Sequence, residues 1–312
     1  MARGYFYMKV KSKLDTVNKI LAVILVITFI ALILVVSLYK GDSAGTDANA
    51  GPSDDVVTID EFVAGTYGGV EFASVEDVVN YYVEAYDYTK TLTANYTAEG
   101  NAHTLYKLLG EETLNVENLL VEGKSNSMLD GLVPGIVGGL FKGGVKALPP
   151  NGNIDPTMDT VSDKNIDVTK SLLTPDDVLM ASVKDNQDGT IEITIQPKEV
   201  ILSMPAQDSQ GKFFNTLGDI SSVVNSISVL SFSSGTIEEN FVVAYKGGSG
   251  TVTIDTATKE IVKGDYTMLV HIDVSHANVA VLKDKSASLD IVYKNTFPAS
   301  DEYLAEKGFT RS

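Results

Sequence analysis

The feature that most constrains this chain is a period of two in its C-terminal half. From Tyr266 the even positions are Tyr266, Met268, Val270, Ile272 and Val274, while their odd neighbours include Asp265, Thr267, His271 and Asp273. Ala287, Leu289, Ile291 and Tyr293 repeat the pattern against Ser286, Ser288, Asp290 and Lys294. Ile191, Ile193 and Ile195 alternate with Glu192, Thr194 and Gln196, and Phe241, Val243 and Tyr245 form a further run. Successive side chains of a strand point to opposite faces, so each run has an apolar face and a wet one. "DNQDGT" at Asp185–Thr190 and "GGSG" at Gly247–Gly250 supply turns between runs. Together they predict an antiparallel meander whose apolar face needs a cover.

Helices are the expected cover. Ser74–Lys90, "SVEDVVNYYVEAYDYTK", has Ser74 as N-cap and Asp77 in the reciprocal place of a capping box. Val75, Val78, Val79, Tyr82, Ala85 and Tyr86 then share one face. Lys212–Ile227 predicts a second helix, marked by Phe213, Phe214, Leu217, Ile220, Val223 and Val224. A short one should start at "TPDDV", with Thr174 as cap and Pro175 in the first turn. The fold class expected is therefore α+β: a curved antiparallel meander covered on one face by helices.

The N-terminal region adds a different element. Ile20–Tyr39 is 20 residues without a charge, about 30 Å as a helix, which matches a bilayer core. Arg3, Lys9, Lys11, Lys13 and Lys19 precede it against the single acid Asp15, so the positive-inside rule places the N-terminus in the cytoplasm. The expected organisation is a basic cytoplasmic tail (1–19), a transmembrane anchor (20–39), a flexible linker (40–57) and an extracytoplasmic α+β domain (58–312). The expected location is the cell membrane, single-pass, with the C-terminal domain outside. Residues 1–40 hold 6 of the 24 Lys/Arg and 1 of the 41 Asp/Glu, which leaves 18 basic and 40 acidic residues, a net of −22, beyond them. Such a surface is repelled by nucleic acid. The absence of cysteine excludes thiolate chemistry and suits a bacterial exported chain better than a disulfide-bearing eukaryotic one.

Nucleotide-binding and zinc-protease motifs are missing from the sequence. It has no GxxxxGK[ST] and no H-E-x-x-H. His103, His271 and His276 are not spaced as a metal motif, and His271 falls on the polar side of its strand. "DNQDG" places its glycine too early for an EF-hand loop and reads as a hairpin turn. No enzyme activity, metal or cofactor is expected.

The most unusual segment is Leu129–Val145, "LDGLVPGIVGGLFKGGV". Gly131, Gly135, Gly139 and Gly143 recur every four residues, and the apolar residues between them include Leu132, Val133, Ile136, Val137, Leu140 and Phe141. Glycine costs about 1 kcal/mol relative to alanine inside a helix, so the stretch should be unstable as a helix in water. Two readings stay open: a pliable segment packed on the sheet, or a mobile apolar flap whose six apolar residues touch a ligand.

One helix, "SVEDVVNYY", before the alternating run from Phe241 to Phe297 resembles the bacterial LolA and LppX/LprG-like lipoprotein carriers. The resemblance implies a half-barrel closed by helices over an apolar, lipid-holding cavity. It covers about two-thirds of the chain beyond the linker and carries no binding residue across. The function expected is that of a membrane-anchored extracytoplasmic protein binding a lipid or other apolar ligand between sheet and helices. Its partners would be the membrane, through residues 20–39, and that ligand. The alternative is a cell-surface structural or protein-interaction domain whose own helices fill the core.

Overall fold

The computed structural model describes residues 59–125, 145–150, 152–157, 160–161, 166–167, 170–216, 218, 230–279 and 282–312. They form a mostly β protein. After a hairpin of Gly65–Tyr67 and Val70–Phe72 comes a helix, α1 (Val75–Thr89). The strands that matter below are β1 (Thr93–Ala98), β2 (Asn101–Tyr106), β3 (Leu109–Val121), β4 (Val178–Asp185) and β5 (Thr190–Pro197). They continue with β6 (Phe241–Tyr245), β7 (Ser249–Asp255), β8 (Ile261–Val279), β9 (Leu282–Phe297) and β10 (Phe309–Arg311).

The main sheet runs β4-β5-β7-β8-β9-β3, antiparallel throughout. Its frame is the long hairpin β8–β9. On one edge β8 pairs with β9 from Gly264 to Val279. On the other edge it takes three partners in succession: β7 up to Thr267, β6 from Val270 to Val274, and Leu230–Phe232 from Ala277 to Val279. The alternation fixes the faces as the sequence predicts. Tyr266, Met268, Val270 and Ile272 are buried, and so are Ile191, Ile193, Ile195, Phe241, Val243, Tyr245, Leu289 and Ile291. The phase breaks after Val274, where His276 takes φ 51° and the ladder to β9 shifts register.

Helix α1 starts where its capping box requires. The Ser74 hydroxyl accepts from the Asp77 amide at 3.2 Å, and the Asp77 carboxylate accepts from the Ser74 amide at 2.9 Å. Val78, Val79, Tyr82, Ala85 and Tyr86 are buried against β4, β5 and β8. A second, smaller core lies under the β1–β2–β10 sheet, where Tyr96, Leu105 and Leu109 meet Ala299 and Leu304.

Two expectations are corrected here. The first is the helix-covered α+β architecture. Among the described residues only α1 exceeds two turns, and the helices Ile237–Asn240 and Asp301–Glu306 are short. "TPDDV" gives a single 3-10 turn, Pro175–Asp177. Lys212 and Phe213, where the second helix should begin, lie in a turn, and Phe214 and Asn215 follow as a bend and irregular chain. The Asp208 carboxylate accepts from the Ser203 hydroxyl and from the amides of Met204, Gln210 and Gly211, all within 3.1 Å. Those bonds hold a compact loop, and Phe213 and Phe214 reach the core from it. Apolar residues at helical spacing can be delivered by a turn when local polar bonds favour one. The remainder of Lys212–Ile227, apart from Thr216 and Gly218, lies outside the described residues.

The second correction concerns location. No helix among the described residues is long and apolar enough to cross a membrane. Helix α1, at 15 residues, is about 22 Å long and amphipathic, short of a bilayer core of about 30 Å. The span at Ile20–Tyr39, its basic tail and the linker lie outside the described residues. The single-pass membrane anchor and the cell-membrane location are therefore unsupported and are set aside.

Candidate binding site

The inner face of the sheet divides into two parts. Under α1 it is filled by interlocked aromatic rings. Tyr82 and Tyr266 are both fully enclosed, and their hydroxyls lie 2.7 Å apart. Phe213 sits between them, its ring centroid 5.8 Å from that of Tyr82 and 5.3 Å from that of Tyr266. Gly250 makes room for it, because a Cβ there would stand 2.7 Å from both the Phe213 and the Tyr266 rings. The Tyr86 hydroxyl donates to the Pro150 carbonyl at 2.8 Å. Burial pushes both the Tyr82 and Tyr266 hydroxyls far above the ordinary phenol range, so both stay neutral.

Beyond that cluster the apolar row continues. On β8 it runs through Met268 and Val270 to Ile272, on β9 through Ile291 to Leu289, and on β3 through Leu114 and Val116. Ile272 is six residues past Tyr266, about 20 Å along the strand. The contacts that tie α1 to β8, at Ile261 and Tyr266, are at the near end.

At that near end one residue breaks the apolar row. Asn295 follows Leu289, Ile291 and Tyr293 in register and is fully buried. Neither its amide nitrogen nor its oxygen has a hydrogen-bond partner. Its ladder partners are Tyr266 on β8 and Glu112 on β3. The glycine at 110 makes space for it, since a Cβ there would stand 2.7 Å from the Asn295 oxygen. Glu112, also buried, accepts a hydrogen bond from the Tyr293 hydroxyl. A polar residue at an apolar register position was visible in the sequence; that it has no partner was not.

The outer face carries two histidine clusters. His271 Nδ1 lies 2.6 Å from Asp290, and Nε2 lies 3.1 Å from Asp273. Asn118 donates to the other Asp290 oxygen at 2.7 Å. His276 Nδ1 and the Ser233 hydroxyl both bond the same oxygen of Asp284, each at 2.7 Å. Those two bonds hold the Asp284 carboxyl below its ordinary range. Ser233 and His276 thus share a carboxylate, which is not the serine-to-imidazole bond that nucleophile activation needs. No group of His, Asp or Glu among the described residues could hold a metal. His103 is exposed on β2, opposite Tyr96. "DNQDGT" closes the β4–β5 hairpin, with the Asp185 and Asp188 carboxylates capping amides within the turn.

The residues singled out as a flap, Leu132, Val133, Ile136, Val137, Leu140 and Phe141, with Gly131, Gly135, Gly139 and Gly143, lie outside the described residues. No protein-family model, curated protein or solved structure matches this chain.

Proposed function

We propose that this chain is a non-catalytic binding protein that receives a lipid or other apolar molecule along the inner face of β3, β8 and β9. One observation supports this most directly. The apolar row extends about 20 Å past the α1 contact at Tyr266, more than a core built on that helix alone requires. The resemblance to LolA and LppX/LprG-like carriers implies the same class of ligand. A second reading has its own support. The Tyr82–Phe213–Tyr266 cluster is filled by the chain itself, which suits a protein-interaction domain with a complete core.

Mass spectrometry of organic extracts from the purified full chain separates the two. Bound lipid near one molecule per chain supports the binding reading. A chain that carries none, and whose melting temperature does not rise with added mono-olein, favours the interaction domain.

A further inference from the structure

We propose that Lys90 and Asn295 are joined by an intramolecular amide bond, formed with the help of Glu112. The bond is independent of what the protein binds. Asn295 is wholly enclosed and its carboxamide has no hydrogen-bond partner, so whatever answers it comes from the chain itself. Lys90, the C-cap of α1, is the one lysine fully buried among the described residues. Its ammonium lies 4.0 Å from the centre of the Tyr106 ring. A lysine is almost never fully buried without a counter-charge. Two carboxylates are buried among the described residues, and one of them, Asp177, holds Lys212 at 3.0 Å. That leaves Glu112, which stands directly opposite Asn295 in the β3–β9 ladder, as a cross-strand neighbour about 5 Å away. Tyr106, under the ammonium, leads along the chain to Glu112. Between them Gly110 faces the Asn295 oxygen, where a Cβ would stand only 2.7 Å away.

An amine, a carboxylate and an unpaired amide are the groups that an amide exchange needs, and it takes no oxidant and no cofactor. The Lys90 ammonium passes a proton to Glu112, because charges cut off from water neutralise each other. The free amine attacks the Asn295 carbonyl carbon, Cγ. Glu112 carries a proton from the attacking nitrogen to Nδ2, acting as general base and then general acid. The Cγ–Nδ2 bond breaks and ammonia leaves, taking the remaining proton from Glu112 as ammonium. One C–N bond has replaced another, and the chain is lighter by one ammonia. The new bond closes a loop that holds β1 through β8. A cross-link over a loop of that length restricts the unfolded chain strongly, the service that disulfides render in chains with cysteine.

Mass spectrometry of the purified, denatured full chain tests this. Wild type should weigh one ammonia less than its sequence, and a tryptic digest should contain a branched peptide that joins Lys90 to Asn295. Lys90→Arg keeps the charge but should show the full mass of its sequence, and so should Glu112→Gln. Circular dichroism checks that both variants fold, and the wild-type mass decides alone if they do not. A wild-type chain at its full sequence mass overturns the proposal. So does an ammonia loss found only as a succinimide at Asn151–Gly152, without the branched peptide. An ammonia loss that persists in Lys90→Arg, or a branched peptide that persists in Glu112→Gln, overturns it too.

Discussion

The hydroxyls of Tyr82 on α1 and Tyr266 on β8 are 2.7 Å apart inside an apolar cluster, and each is the other's buried partner. Tyr82→Phe should therefore cost about 1–3 kcal/mol, because it strands the Tyr266 hydroxyl without water. The double variant with Tyr266→Phe should cost less than the two single losses added together. Urea denaturation of the three variants checks this. Strict additivity would mean that the hydroxyls are satisfied elsewhere.

The loop that carries Phe213 depends on close backbone approach. A Cβ at Gly211 would overlap the Met204 carbonyl. Gly211→Ala should destabilise by about 2 kcal/mol or more, beyond the entropy that alanine normally returns. Asp208→Ala should act in the same direction by freeing four donors. Near-ultraviolet circular dichroism should report loss of the aromatic packing in both. A stable Gly211→Ala protein would show that the loop can relax at little cost.

The two faces of β8 give a paired prediction. Ile272→Asp places a carboxylate among apolar side chains and should cost several kcal/mol, about the penalty of a buried, unpaired polar group. Asp273→Asn changes an exposed residue whose contact is His271 at 3.1 Å, and should cost about 0.5 kcal/mol or less. Thermal melts of the two proteins suffice. Equal losses would reverse the assignment of faces.

Acid sensitivity should centre on Asp177. Burial alone would raise its carboxyl, but hydrogen bonds from Thr174 and Lys212 outweigh that and hold it below the ordinary 3.8. The folded chain therefore binds this proton less readily than the unfolded chain does. The stability it contributes is complete above the ordinary value and disappears as pH falls through the lower, folded one. Asp177→Asn should flatten this part of the decline in denaturant midpoint between pH 5 and about pH 2. It should also weaken the protein at neutral pH, because Lys212 loses a partner that lies 3.0 Å away. An acid limb identical to wild type would assign the loss to other carboxylates.

Helix α1 and the alternating strands were legible because their signals are local. Ser74 and Asp77 mark a start, and period 2 marks a face. Strand β3 was not legible as a strand, and its residues show why. Leu114 and Val116 face inward on even positions, but Asn118 takes φ 49° and the bulge moves the inward set to Leu119 and Val121. A pattern that changes phase midway does not read as period 2. The Phe213 loop was misread as helix because its fate is decided by Asp208 and by the Gly211–Met204 approach, neither of which shows in apolar spacing. Asn295 stood in the open in an apolar register, yet its complete enclosure without a partner shows only in the fold.

The long β8–β9 hairpin has a kinetic consequence. Strands β8 and β9 are neighbours in the chain, so their hairpin closes a short loop and can form early. Strand β3, which pairs with the far edge of β9, is more than 160 residues upstream and must cross a long search to reach it. Until it arrives, β9 exposes an open row of backbone donors and acceptors, the template on which unfinished chains aggregate. Pulse-labelled hydrogen exchange during refolding should protect the β8–β9 hairpin before β3, and simultaneous protection would remove this account. The slow step of folding is then the homecoming of one distant strand.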